Sequence, residues 1–218
     1  MQPSLTSHER TSDEAQPLHP LFKSALTFLG LALLLAASAF VIRMDVIYNQ
    51  SGIGENSLVE HLQETYMFIV AVLFAGVGLK QRYQRGFTVL ISAFFSIVFI
   101  RELDSVFDQI SHGLWKYPAW LIATVAIIYA LSHKETTFKP LINYTKHRSF
   151  GMMLAGMATL LVFARIYGMG DLWQSIMQDD YIRPVKNLAE EGVELLAYSL
   201  VLFAAAWYCL PELVKKKQ

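Results

Sequence analysis

Cysteine is all but missing: Cys209 stands alone among 218 residues. One thiol excludes an internal disulfide and any Cys-rich metal centre. Near an apolar helix end it reads as a small packing residue. Charge is scarce too. Asp, Glu, Lys and Arg make up 17% of the chain, below the roughly 25% of a soluble domain. The two signs cancel to zero net charge, so no basic surface argues for a nucleic-acid partner. Several catalytic signatures are also absent. There is no HExxH, no pair of helical histidines for haem, no Glu-x-x-His for a di-iron centre, and no Ser/His/Asp set in a persuasive context.

What the chain has instead is apolar residues, 54% of the total, gathered in long runs. That pattern predicts a single-domain membrane protein rather than a large soluble core. Residues 1–20 hold three prolines and both charge signs and read as a short disordered tail. Residues 25–42 form the first run. Ala37-Ser38-Ala39 resembles a signal-peptidase site, yet the run continues through Phe40-Val41-Ile42, so an uncleaved anchor is expected. Further spans are expected at 58–79, 86–110, 117–131, 150–167 and 187–210, giving a six-helix transmembrane domain over 21–212 and a basic tail at 213–218. Trp115, Tyr117 and Trp120 suit a membrane-interface belt. Gly151 and Gly156 are available for close helix contact.

Charge sorts the loops into two sides. The N-terminal tail, the turns after spans two and four, and the C-terminus hold 12 of 18 Lys and Arg. The positive-inside rule then puts both termini in the cytoplasm. The expected fold is therefore all-α, a polytopic bundle of six transmembrane helices in a bacterial inner membrane, with the lipid bilayer as its first partner. Thirteen of 18 Asp and Glu fall on the opposite side or in the outer halves of helices. Acids contribute little to topology, so that segregation needs another reason.

Counting from the basic ends gives depth. Glu64 is 16 residues from Lys80, Arg101 is 16 from Arg85, Arg165 is 17 from Arg148, and Glu194 is 17 from Pro211. At 1.5 Å per residue all four lie about 24–26 Å along their helices. Glu64, Arg101, Arg165 and Glu194 are thus expected to form one buried charge network. Helical spacing extends it outward along Glu60/Glu64, along Asn187/Glu190/Glu194/Tyr198, and along Arg101/Asp104/Asp108/His112. The result is an outward funnel closed by apolar packing below. Acids outnumber bases in it, and a carboxylate surplus in low dielectric invites a proton or a cation.

Three functional readings stay open. In the first, Glu60 and Glu190 act as ligands or general bases. Glu60, Glu190, Glu191, His61 and His112 then hold a divalent metal that activates water against a lipid or peptide bond. In the second, the chain is a proton or cation transporter, although no inverted repeat is visible. In the third, it is a subunit without chemistry that docks a partner protein. Each charged residue also has a plain reading, as a register-fixing ion pair or an interfacial histidine.

The Glu190-Glu191 pair resembles that of intramembrane glutamate proteases of the CAAX-processing type. Their following arginine is absent from GVELLAY, and Phe107 and His112 miss the Phe-x-x-x-His spacing by one residue. Membership of that family is therefore rejected. Three motifs, ENSLVEHLQ, RELD and EEGVELLAY, make residues 55–200 similar to a loose group of multi-pass bacterial inner-membrane proteins with acidic intramembrane motifs. The resemblance implies a multi-pass fold and no particular activity.

Overall fold

In a bilayer, backbone N–H and C=O groups find partners only within a helix or a closed barrel. The long apolar runs here take the helical solution. The computed structural model describes residues 19–48 and 57–216. Among them every regular element is helical and there is no strand. Helices α1 (His19–Tyr48), α2 (Leu58–Lys80), α3 (Arg85–Glu102), α4 (Asp104–Asp108) and α5 (Lys116–Ser132) are followed by α6 (Lys134–Thr145) and α7 (Arg148–Ala158). A π turn, Thr159–Phe163, joins α7 to α8 (Ala164–Gly168), and α9 (Gly170–Met177) precedes the long α10 (Arg183–Val214).

Five helical stretches are long and apolar enough to cross a membrane: Pro20–Tyr48, Leu58–Lys80, Arg82–Glu102, Arg148–Gly168 and Arg183–Val214. Lys116–Ser132, expected as a sixth span, is apolar but shorter. It nevertheless retraces the length of α3. The two line one groove from Arg85 to Ser96, and just past α5 the carbonyl of His133 lies against Gly86, at the start of α3.

The hub is α10, which packs on α1, α2, α7 and α8, while α3 packs on α2, α5 and α6. Phe74, Phe87, Tyr144 and Tyr208 stack edge and face at the basic end of this core. Close approach of α7 to α10 needs a residue without Cβ. At Gly156 a Cβ would stand 2.9–3.1 Å from Val201 and the Ala197 carbonyl. Gly151, paired with it by sequence, faces open space.

Helix boundaries depart from expectation in ways the packing explains. The expected tail at 1–20 lies mostly outside the described residues, but His19 and Pro20 already belong to α1. The expected third span, 86–110, stops at Glu102, with Leu103 at φ −83°, ψ 16° before α4 begins. No glycine or proline marks that break. The last span runs past Pro211 to Val214. Lys80 Nζ donates to the Leu213 carbonyl and Gln81 Nε2 to that of Glu212 at 2.9 Å, which satisfies the terminal carbonyls a helix leaves free. The start of α2 is capped twice. Ser57 Oγ accepts from Glu60 N at 3.1 Å, and Asp45 of α1 reaches across to accept from Val59 N, also at 3.1 Å. Asp45, expected in a loop, is buried, and its charge faces the positive end of the α2 dipole.

Candidate functional site

Gln63 of α2 is 1% exposed. Its Nε2 donates to Glu191 Oε2 at 3.0 Å and to the Glu191 carbonyl at 3.2 Å. This ties α2 to the first half of α10, where the i, i+4 rule lines up Glu190, Glu194 and Tyr198. Tyr198 is fully buried, and its hydroxyl donates to Glu102 Oε1 at 2.7 Å. Arg101 Nη1 donates to the same oxygen at 3.0 Å. The break after Glu102 leaves that carboxylate at the end of α3, where α10 can meet it. Lys186 Nζ pairs with Glu190 one turn away, and the Glu190 carboxylate lies directly over Gly168.

Four helix segments therefore converge on one acidic centre. Glu191 lies within electrostatic reach of Glu190, Glu60 and Glu102. Glu194 lies within reach of Glu191, Glu102 and Glu190, and of Arg101. Among the described residues Glu194 has no hydrogen bond and no ion pair. One turn deeper, Ser38 of α1 bonds both Tyr66 of α2 (3.0 Å) and Ser199 of α10 (2.9 Å), all buried. Below that level Val70, Phe74, Val201, Ala204 and Ala205 close the bundle with apolar packing.

The expected network of Glu64, Arg101, Arg165 and Glu194 does not form one contact shell. Glu64 bonds His61 Nδ1 at 3.2 Å on its own helix. Arg101 is committed to Glu102. Arg165 is exposed at the second residue of α8, with no ion pair among the described residues. Depth counted along a helix says nothing of azimuth. Arg101 and Glu194 lie within reach of each other, whereas Glu64 pairs with His61 and Arg165 is exposed. The five expected metal ligands are likewise divided. Glu60, Glu190 and Glu191 are neighbours. His61 is taken by Glu64, and His112, at 94% side-chain exposure, by Asp108 at 2.8 Å. Among the described residues no three His, Cys, Asp or Glu side chains are placed to hold one metal ion. Asp108 also accepts from Gly113 N, and that bond, with His112 beside it, holds its carboxyl below the usual range.

A second polar cluster sits at the opposite end, where only apolar packing was expected. Glu212 is 8% exposed and accepts from Tyr83 OH (3.0 Å), from Gln84 Nε2 (3.1 Å) and from Lys215. Tyr208 OH donates to Gln84 Oε1 at 2.6 Å. His147 caps α7 through Nδ1, which accepts from Ser149 N at 3.2 Å, and burial lowers its pKa. Burial likewise raises the Tyr144 hydroxyl to about 12. Glu212 and Tyr208 are i, i+4, and Gln81 and Gln84 are three apart. That spacing was the available signal, masked by the proximity of both groups to helix ends.

No protein-family model, curated protein or solved structure matches this chain.

Proposed function

We propose that this chain is a multi-pass protein of the bacterial inner membrane, with six spans and both termini in the cytoplasm, whose outer carboxylate cluster binds a cation. The charge imbalance at the centre carries the reading. Glu191 lies within electrostatic reach of Glu60, Glu102 and Glu190, and Glu194 of Glu102, Glu190 and Glu191, while Arg101 and Lys186 are the cations set directly against them among the described residues. Like carboxylates removed from water need a counter-charge, and a proton or a bound ion supplies it. The arrangement favours a proton over a chelated metal. Gln63 and Tyr198 each present a donor to one carboxylate, and convergent ligand sets for a metal are lacking among the described residues. In this reading Glu194 and Glu191 carry the proton. Glu190, leashed by Lys186 at the mouth, exchanges it with the outer solution, and Glu60 lies within reach of Glu191.

The retracing of α3 by α5 supports the sixth span, because a helix of 17 residues is at the short end of what a bilayer needs. An even number of spans puts both termini on one side, as the loop charges require.

Infrared spectroscopy of the full chain at neutral pH tests the site. A protonated carboxyl gives a C=O band that shifts in deuterium oxide. The band is expected in the parent and is expected to shrink in Glu194→Gln and Glu191→Gln. Calorimetry with magnesium, calcium and zinc runs in parallel. Metal binding lost in Glu190→Gln and Glu60→Gln, with no carboxyl band, replaces the proton by a metal. Neither signal leaves a subunit that docks a partner protein.

A further inference from the structure

A cleft of about 470 Å³ opens between α1, α7 and α10 at the basic end of the bundle, remote from the carboxylate cluster. Its mouth carries Lys23 and Arg148, one from α1 and one from the first residue of α7. Both are exposed, and neither has an ion pair among the described residues. Beneath them the walls turn apolar, with Phe28 and Leu31 on one side and Met152 on the other, and the Trp207 indole lines the cleft from α10. A second cleft of about 300 Å³ continues from it along α1 and α10, sharing Thr27 and Trp207.

We propose that this double cleft binds an anionic phospholipid. The charge pattern selects the occupant. Two unpaired cations at the boundary suit a phosphate-bearing headgroup of negative charge, and the apolar channels below them suit acyl chains. Basic pockets between transmembrane helices at the cytoplasmic boundary are the general form of such sites. Trp belongs at the same level, where its ring meets both apolar chains and polar headgroups. A free phosphate would leave the apolar walls unused, and a zwitterionic lipid would bring its own cation to Lys23 and Arg148. The inference needs the helices to lie in a bilayer and is independent of the cation site.

Trp207 supplies the probe. The full chain, with Trp115→Phe, Trp120→Phe and Trp173→Phe, is placed in phosphatidylcholine nanodiscs. Brominated phosphatidylglycerol or brominated phosphatidylcholine is then titrated in over the same range of mole fractions. The anionic lipid is expected to quench Trp207 at a roughly thirtyfold lower fraction, as two surface cations at about 1 kcal/mol each imply. Lys23→Gln with Arg148→Gln abolishes the preference, whereas Lys139→Gln with Lys146→Gln, on the same basic face, leaves it. Equal quenching by the two lipids overturns the proposal. So does a preference that survives loss of Lys23 and Arg148, or one that inorganic phosphate competes away. If the three-Phe background fails to fold, native mass spectrometry of the otherwise unmodified chain, with the same charge variants, decides by counting retained phosphatidylglycerol.

Discussion

Replacing Gly156 with alanine adds one methyl group where α7 meets the backbone of α10. The new Cβ would lie 2.9 Å from Val201 Cγ2, 3.0 Å from the Ala197 carbonyl oxygen and 3.1 Å from Val201 N. A side-chain methyl can rotate away. The two backbone atoms cannot, so α7 itself must back off from α10. Overpacking of this kind costs about 1–3 kcal/mol. Alanine also gains about 1 kcal/mol over glycine in helix propensity. That gain is common to Gly151→Ala, where the added Cβ meets nothing within 4 Å. Comparing the two variants cancels propensity and isolates the packing term. Gly151→Ala is expected to match or slightly exceed the parent, and Gly156→Ala to fall below Gly151→Ala by about 1–3 kcal/mol. Equilibrium unfolding in mixed micelles, with dodecyl sulfate as denaturant and circular dichroism as the probe, reads both. Equal stability of the two variants would falsify the claim that α7 and α10 meet through Gly156.

Gln63→Leu removes the donor from both Glu191 acceptors while keeping the volume, so stability should fall by about 1–3 kcal/mol in the same assay; an unchanged midpoint means the bond is spare. His147 gives a pH signature. Burial depresses its pKa, so the unfolded chain takes up the proton first as pH falls below about 6.5. Its contribution is complete above that value and declines from there down to the lower folded pKa. The unfolding free energies of the parent and His147→Asn should therefore converge as the medium is acidified through that window, and parallel curves refute the assignment. Reporter fusions after Lys139 and Lys216 should read cytoplasm, and one after Asp180 should read the outer face; the reverse at Asp180 removes the outward orientation of the cluster.

Sequence reading went far with elements whose signal is one-dimensional. Hydropathy alone found α2 to within a residue, because its ends coincide with Ser57 and with the Lys80–Arg85 turn. It placed α1 too short by six residues at each end, since Lys23 and Arg43 look like loop residues, as does Asp45 until its bond to Val59 N is known. The turn at Leu103 was invisible, there being no glycine or proline nearby. Helices α6 and α9 were read as loop because each is short and polar on one side. The same limit governs the site. Residues on α10 were ranked correctly as a stripe, since i, i+4 spacing fixes a shared face within one helix. Which stripes face each other depends on helix rotation, and no count along the chain contains it. Glu64 and Arg165 were therefore joined to Arg101 and Glu194, with which they share no bond among the described residues, while Gln63, which touches the centre, drew no attention.

The bond between Ser38 and Ser199 spans 161 residues, and that separation has a meaning for biogenesis. At about 5–20 residues per second, roughly 8–30 s pass between synthesis of the first helix and synthesis of its partner. The early helices do not wait alone. Asp45 caps α2 after only 14 residues, and Tyr66 reaches Ser38 after 28. A hairpin of α1 and α2 is thus the first unit the nascent chain can complete. Its inner face still carries Gln63, with Glu102 to follow, and both lack their partners on α10 until it arrives. The helix that bears the acidic centre is also made after all those it packs on. A chain cut short before it keeps every earlier span and shows the membrane quality-control machinery a row of unmatched polar groups, whereas one that lacks α1 alone keeps the bond between Gln63 and Glu191.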